Sequence, residues 1–389
     1  MSKTMKIPDG WEQKKFGNIF DFKNGVNAEK SSYGQGIKFI NVMDVFQGNS
    51  ITSENVKGQI TLCDKKVQDN LVVRGDVLFN RTSEVLNEIG LTSVYLDDEP
   101  VVFGGFVIKG HELKDVLDNS FKKYCFSSSL VRKEIIRRGQ GAIRTNIGQK
   151  DLEKVKLLVP PLEEQKAIAG VLSVWDEGIE KITKLIALKE KKFKWLLKTL
   201  ISDQCSMNNE NPSWKKVKLG EVCEIRTGKL DANKMIDKGQ YRFYTCAKNY
   251  YRIDSFAFDT EALIISGNGA NVGYIHYYKG KFNAYQRTYV LDQFMSYIDI
   301  RYVQLLLDSS LAKRIHQEKS EGNTPYIRMS ALSLMNISFP PIEEQKQIAS
   351  TLNTAQKEID LLKKIADKYK EQKKGLMQKL LTGEWRVGA

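Results

Sequence analysis

Residues 160–169 read PPLEEQKAIA, and residues 340–349 read PPIEEQKQIA, so one short text occurs twice, 180 residues apart. Each copy reads as the start of a long helix. Pro161 and Pro341 suit the first helical position, where the N–H that proline lacks has no intrahelical acceptor anyway. The pairs Glu163/Glu164 and Glu343/Glu344 then place negative charge in the first turn, at the positive end of the helix dipole.

Steps of four and three run on from both starts. The first series is Ile168, Leu172, Trp175, Ile179, Ile182, Ile186, Lys189, Phe193, Leu196 and Leu200. The second is Ile348, Leu352, Ala355, Ile359, Leu362, Ala366, Tyr369, Lys373, Leu376 and Leu380. One position in each series is charged, and the rest form the apolar seam of a coiled coil. Some forty residues at 1.5 Å each make a rod of roughly 60 Å. Helices this long and regular predict that the two pair with each other rather than each lying on its own domain.

A chain of 389 residues has room for two domains with their own cores. Its hydrophobic content of 41% and charged content of 28% are those of an ordinary globular protein. The net charge of +13 favours a polyanionic partner. The five cysteines (Cys63, Cys125, Cys205, Cys223, Cys246) lack CxxC spacing, which argues against a disulfide framework or a zinc site and for a reducing cytoplasm. The first residues, MSKTMKIPDGWEQ, contain no apolar h-region, and no run approaches eighteen apolar residues, so neither export nor membrane spanning is expected.

The rest of the chain is also duplicated. Trp11, Gly17 and Gly25 match Trp214, Gly220 and Gly228, each 203 residues on, and the tryptophans read as core anchors rather than base-stacking platforms. A β-like region follows in each half, cut by Gly, Asn and Asp. Gly90 pairs with Gly273, and residues 106–108 pair with 289–291, now 183 apart, so the first half carries about twenty extra residues there. Basic helical pieces follow around 129–138 and 302–319, then loops with an Ile-Arg pair, Ile143-Arg144 and Ile327-Arg328. Similar helices beside diverged domains indicate a constant scaffold carrying two different readers. The expected class is α+β: two globular domains separated by two long coiled-coil helices, with an internal repeat. The expected boundaries are 1–160 for the first domain, 161–201 for the central helix, 202–340 for the second domain with a linker at 202–212, and 341–389 for the C-terminal helix and tail.

Catalytic motifs are missing. His111, His276 and His316 are isolated, there is no GxxxxGK[ST] loop, and no Asn-Pro-Pro-Tyr motif or nuclease carboxylate cluster stands out. SGNGANVG at 266–273 lacks GxGxxG spacing and reads as a turn between strands. The loops instead carry groups suited to DNA. In the first half these are Asn80, Arg81, Thr82, Arg137, Arg138, Arg144 and Asn146. In the second they are Lys248, Asn249, Tyr250, Tyr251, Arg252, Asn268, Asn271, Tyr285, Gln286, Arg287, Arg314 and Arg328. Arg and Lys neutralise phosphate or grip guanine, while Asn and Gln match the adenine edge. No residue set points to a metal, and no catalytic residue is assigned.

The paired PPLEEQKAIA and PPIEEQKQIA, each closing a variable domain and opening a helix, together with the LLTGEW ending, resemble the DNA-specificity subunit of type I restriction–modification enzymes. The resemblance covers the whole chain. It implies an internal pseudo-two-fold repeat in which two long antiparallel coiled-coil helices hold the domains apart, each domain reading one half of a bipartite double-stranded DNA site while the helices set the spacer. It also implies two modification (methyltransferase) subunits carrying S-adenosylmethionine, and two restriction (motor-nuclease) subunits using ATP and Mg2+, with no cofactor bound by this chain. The alternatives are a non-specific coiled-coil DNA-binding scaffold and an autonomous DNA-modifying enzyme.

Overall fold

The computed structural model describes residues 7–141, 144–202, 214–317 and 325–387, without the side chains of 202, 312–314, 316 and 317. Contacts divide the chain into two units, Met1–Ile182 with Ile365–Ala389, and Thr183–Lys364. The division therefore falls inside both long helices, and each unit contains a stretch of each.

In the first unit, a five-stranded sheet runs in the order Phe20–Asn24, Val107–Glu112, Val77–Asn80, Thr92–Tyr95, Ser50–Ile51. A second sheet of four strands follows the order Gln59–Ile60, Tyr33–Ile40, Val101–Phe103, Leu71–Val72. Val77–Asn80 is buried at all four positions, because helices cover one face of its sheet and the second sheet's residues meet the other. A strand with both faces covered carries no polar alternation. The helices Asn119–Cys125 and Ser129–Arg138 are capped by the side chains of Asp118 and Ser128, each accepting from a backbone N–H two or three residues on. Their apolar faces join Phe16, Phe20 and Phe79, with Phe126 5.5 Å from Phe79 ring to ring.

The second unit holds a six-stranded sheet in the order Glu224–Thr227, Thr288–Asp292, Phe258–Ser266, Ile275–Ala284, Tyr241–Tyr244, Tyr251–Ile253. The helix Ile300–Gln317 packs on it. In both units a strand pair joins the first strand to the last before the long helix: Glu12–Lys15 with Lys156–Val159, and Lys215–Lys218 with Asn336–Phe339.

Hydrogen bonds make the repeat measurable. Gly90 N–H donates to Asn80 O, and Gly273 N–H donates to Ser266 O. Both glycines have positive φ (61° and 83°), and a Cβ on either would stand 2.6 Å from an isoleucine of the covering helix, Ile135 or Ile315. The segment Gly267–Gly273 is indeed a turn, joining Phe258–Ser266 to Ile275–Ala284. One expectation is corrected. Residues 106–108 do not match 289–291: Gly25 N–H donates to Val107 O and Gly228 N–H to Thr288 O, so Val107 matches Thr288, an offset of 181. Strand side chains repeat every two residues, and a shift by two keeps every apolar group on its face, so the sequence pattern could not separate the two registers.

The long helices are Leu162–Leu197 and Ile342–Leu381, of 36 and 40 residues. They pair antiparallel within each unit. In the first, Ile168 and Leu172 share a core with Leu376 and Leu380, Trp175 meets Tyr369 edge-on at 5.6 Å, and Asp176 is ion-paired with Lys373. In the second, Phe193, Leu196 and Leu200 share a core with Ile348 and Leu352. Ion pairs of 2.7 Å (Lys189–Glu358) and 2.6 Å (Lys363–Glu190) flank it. Ile359 is buried, Ile179, Ile182, Ile186 and Leu362 are half-buried, and Tyr369 is exposed apart from its face toward Trp175. Each helix therefore begins in the core of one unit and ends in that of the other, where Ile201 and Leu381 are buried. Gly383, with φ 69°, stops the second helix.

The repeated text has a physical job. Gln165 and Gln345 are both completely buried. The Gln165 Oε1 accepts from Asp118 N–H at 2.8 Å, and its Nε2 donates to Val116 O and Pro160 O, both at 2.9 Å. Gln345 does the same with Asp299 N–H at 2.8 Å, Tyr297 O at 3.0 Å and Pro340 O at 2.9 Å. Each glutamine thus ties a long helix to the N-cap residue of a helix in the preceding domain. Trp11, 6% exposed, donates to Glu164 at 2.8 Å, and Arg386 grips the same carboxylate at 2.6 and 2.8 Å. Burial alone would raise the Glu164 pKa, but the bonds from Arg386 and Trp11 hold it below the ordinary value. Among the described residues, the equivalent Trp214 indole N–H has no partner.

Candidate nucleic-acid interface

In each unit a loop that follows a buried strand meets the segment entering the last short helix. In the first, Ile147 N–H donates to Arg81 O and Thr145–Asn146 pairs with Thr82–Ser83. In the second, Ile327 N–H donates to Gly267 O, and Tyr326 bridges to Asn268. Ile147 and Ile327 are both buried and plug the same place. The Ile-Arg pairing of Ile143-Arg144 with Ile327-Arg328 is thereby corrected: Ile327 matches Ile147, and Arg328 matches Gly148. Ile143 itself lies outside the described residues.

Around the first loop the Thr82 hydroxyl donates to Asn146 Oδ1 at 2.6 Å, and Asn146 is exposed. Arg81 is half-buried and donates to Gly105 O at 3.3 Å. Arg144, 61% exposed at its side chain, pairs with Glu84 at 2.9 Å. Other expected residues are not brought here. Asn80 is completely buried, donating to Glu88 O and accepting from Thr82 N–H, so it shapes the loop and presents nothing to a ligand. Arg138 is bound to the Glu134 carboxylate and carbonyl and to Lys154 O, as the last turn of its helix invites. Arg137 pairs with Glu134 and lines a groove with Ile7, Gln13 and Lys156.

The second unit gathers most of its candidates on one face. Asn271 donates to Cys246 O at 3.1 Å, the Cys246 thiol donates to Arg287 O at 3.3 Å, and Gly267 N–H donates to that carbonyl at 2.9 Å. His276 Nε2 lies 3.0 Å from Ala247 O and so carries a proton, while burial pushes the ring's pKa down. These bonds hold the loops carrying Lys248, Asn249 and Tyr250, Asn268, and Arg287 against one another. Lys248, Asn249, Tyr250 and Arg287 are exposed there, and Arg328 donates to the exposed Tyr326 hydroxyl at 3.1 Å. Tyr285 is half-buried; Gln286 is exposed and donates to Asp231 at 2.7 Å. Arg252 is exposed on the edge strand, 5.6 Å from the Tyr250 ring centre, and Tyr251 is exposed beside it. The Arg314 side chain lies outside the described residues.

Sequence reasoning missed Arg242, Tyr278 and Phe106. The Arg242 guanidinium lies between the Tyr250 and Tyr278 rings, 4.3 and 4.4 Å from their centres. Its strand, YRFY, reads as an ordinary alternating strand, and only the fold shows what faces it. Arg132, also unremarked, donates to the carbonyls of Asn87, Ile89 and Gly90 and so braces the first loop from below. Among the described residues, no group of three or more His, Cys, Asp or Glu could hold a metal ion. No helix among them is long and apolar enough to cross a membrane.

The type I restriction modification DNA specificity domain model matches twice, over residues 8–190 and 211–371. The chain is 38% identical to the EcoDI type I restriction enzyme specificity subunit of Escherichia coli over 169 residues, 43% of this chain and 37% of that one. It is 25% identical to the MjaVIII type I restriction enzyme specificity subunit of Methanocaldococcus jannaschii, over 98% of this chain and 95% of that one. The crystal structure of a type I restriction-modification system S subunit from M. genitalium shares the fold, with TM-score 0.61 at 17% identity, over 98% of this chain and 97% of that one. Two such matches in tandem, on the same two halves that the hydrogen bonds relate, identify the chain as a member of the type I restriction–modification DNA specificity family.

Proposed function

We propose that the protein is the sequence-reading, non-catalytic subunit of a type I restriction–modification complex. Each recognition domain, within 1–160 and 202–340, reads one half of a bipartite DNA site through the strand-end loop described above. The long helices, 161–201 and 341–389, set the spacer and dock two modification subunits. Those supply S-adenosylmethionine, and two restriction subunits supply ATP- and Mg2+-dependent cleavage, in the cytoplasm. The observation that carries this reading is the repeated loop: two structurally equivalent strand ends, held by equivalent hydrogen bonds, present different cationic, amide and aromatic groups. A constant frame with variable tips is what two readers of unlike half-sites require. Net charge of +13 supplies the sequence-independent attraction to phosphate.

The test is an exchange of residues 1–160 for the domain of a relative, followed by mapping of methylated adenines in a host with the complete system. One half-site should change and the other persist. A map in which both changed would reject independent readers. Purified chain that transferred methyl groups alone, or bound random and target duplexes equally at stated salt, would reject the specificity role.

A further inference from the structure

The hydrogen-bond register equates two positions that the sequence does not pair. Arg81 N–H donates to Phe106 O in the first unit, and Gly267 N–H donates to Arg287 O in the second, both at 2.9 Å. Phe106 and Arg287 therefore occupy one place at the strand-end loop, with the match of Val107 to Thr288 directly behind them.

Phe106 is 60% exposed, whereas Phe16, Phe20, Phe79, Phe103, Phe121 and Phe126 are all buried to within 2%. Its backbone is held on both sides: Arg81 N–H donates to Phe106 O, the Arg81 side chain donates to the preceding Gly105 O, and Gly105 N–H donates to Val26 O. The exposed ring is thus presented by a hydrogen-bonded loop directly opposite Arg81, the residue before Thr82, rather than left over from a loose one. Arg287 is exposed too, and no side-chain partner for it is found among the described residues.

We propose that this shared position determines specificity in both readers, and that Phe106 reads a thymine of the first half-site through its 5-methyl group. The inference rests on the DNA-reading assignment above. A phenyl ring has no hydrogen bond to offer, and the thymine methyl is the apolar feature of the major groove. An arginine in the same place matches the O6 and N7 acceptors of guanine, so the duplicated frame reads opposite chemistries with one side chain each.

The test uses the chain assembled with its modification subunit and the site defined by its methylation map. Each thymine of the first half-site is replaced in turn by deoxyuridine, which lacks the methyl. One replacement should weaken binding by the parent about fourfold, the transfer energy of one methyl group. Phe106→Ala should bind the two duplexes equally and accept other bases at that position alone. A parent indifferent to every replacement, or Phe106→Ala with the discrimination intact, would overturn the proposal. Phe106→Leu, which keeps an apolar contact, should retain part of the discrimination and stands in should the alanine variant fold poorly. In the second reader, 7-deazaguanine and Arg287→Ala play the same parts, and discrimination kept by that variant would refute the equivalence. Arg81→Ala and Asn146→Ala separate the two levels of failure. If they weaken binding while Phe106→Ala does not, the thymine reading falls alone; if none of the three matters, the DNA-reading face is wrongly placed.

Discussion

Gln165→Met keeps the side chain's length and removes every hydrogen bond it makes. The structure shows three, at 2.8, 2.9 and 2.9 Å, around a fully buried amide. At about 1 kcal/mol net per bond, the loss is about 3 kcal/mol, and the Asp118 N–H is left without its acceptor. For a unit of about two hundred residues, each kcal/mol moves the midpoint by about 2–4 °C, so the first unit should melt about 6–12 °C lower. Gln345→Met should do the same to the second unit, and the two losses should add because the glutamines share no partner. Calorimetry gives the midpoints, and amide exchange at Asp118 and Asp299 reports the joint itself. Variants that melted with the parent and kept both amides protected would refute the claim that these glutamines fasten the helices to the readers.

Arg386→Ala should destabilise the first unit and spare the second. Because the Glu164 pKa is held low in the folded state, that stability is present above the unfolded value near 4.5 and lost as pH falls through the folded one. The gap between parent and variant in urea titrations should therefore be widest at neutral pH and close in acid; a gap independent of pH would reject the ion pair as its source. Ile359→Asp removes an apolar side chain that is 2% exposed, a loss of about 2–5 kcal/mol before the carboxylate's desolvation is added. Its second unit should lose its cooperative transition, and normal melting would show that the seam is elsewhere. One heptad added to each long helix keeps the seam and lengthens each by roughly 10 Å, about three base pairs. Under the proposed function the methylation map should show the same half-sites with a longer spacer, and an active variant with the original spacer would refute the ruler.

Much of the frame was legible because it rests on short-range rules. Proline and glutamate at 160–164 and 340–344 announce helix starts, the apolar heptads announce a paired helix, and Gly90 and Gly273 mark turns that need positive φ. The candidate interface was legible only in outline. Asn80 has the chemistry of a base reader, yet it is spent on its own loop's backbone, a fact of tertiary packing. Arg138 likewise serves the end of its helix. Phe106 reads as one more apolar strand residue, and only the register that sets Val107 against Asn80 shows that the ring before it projects at the strand's end.

The glutamine joints bear on how such proteins change over generations. All six groups that Gln165 and Gln345 engage belong to the main chain: two amides and four carbonyls. A joint that recognises the course of the chain is indifferent to the residues it passes. Drift in those reader residues, or wholesale replacement of a reader by recombination within the repeated text, therefore leaves the fastening intact so long as the incoming segment follows the same path. Selection can then explore new DNA targets one half at a time, without first having to reinvent the molecule that holds them.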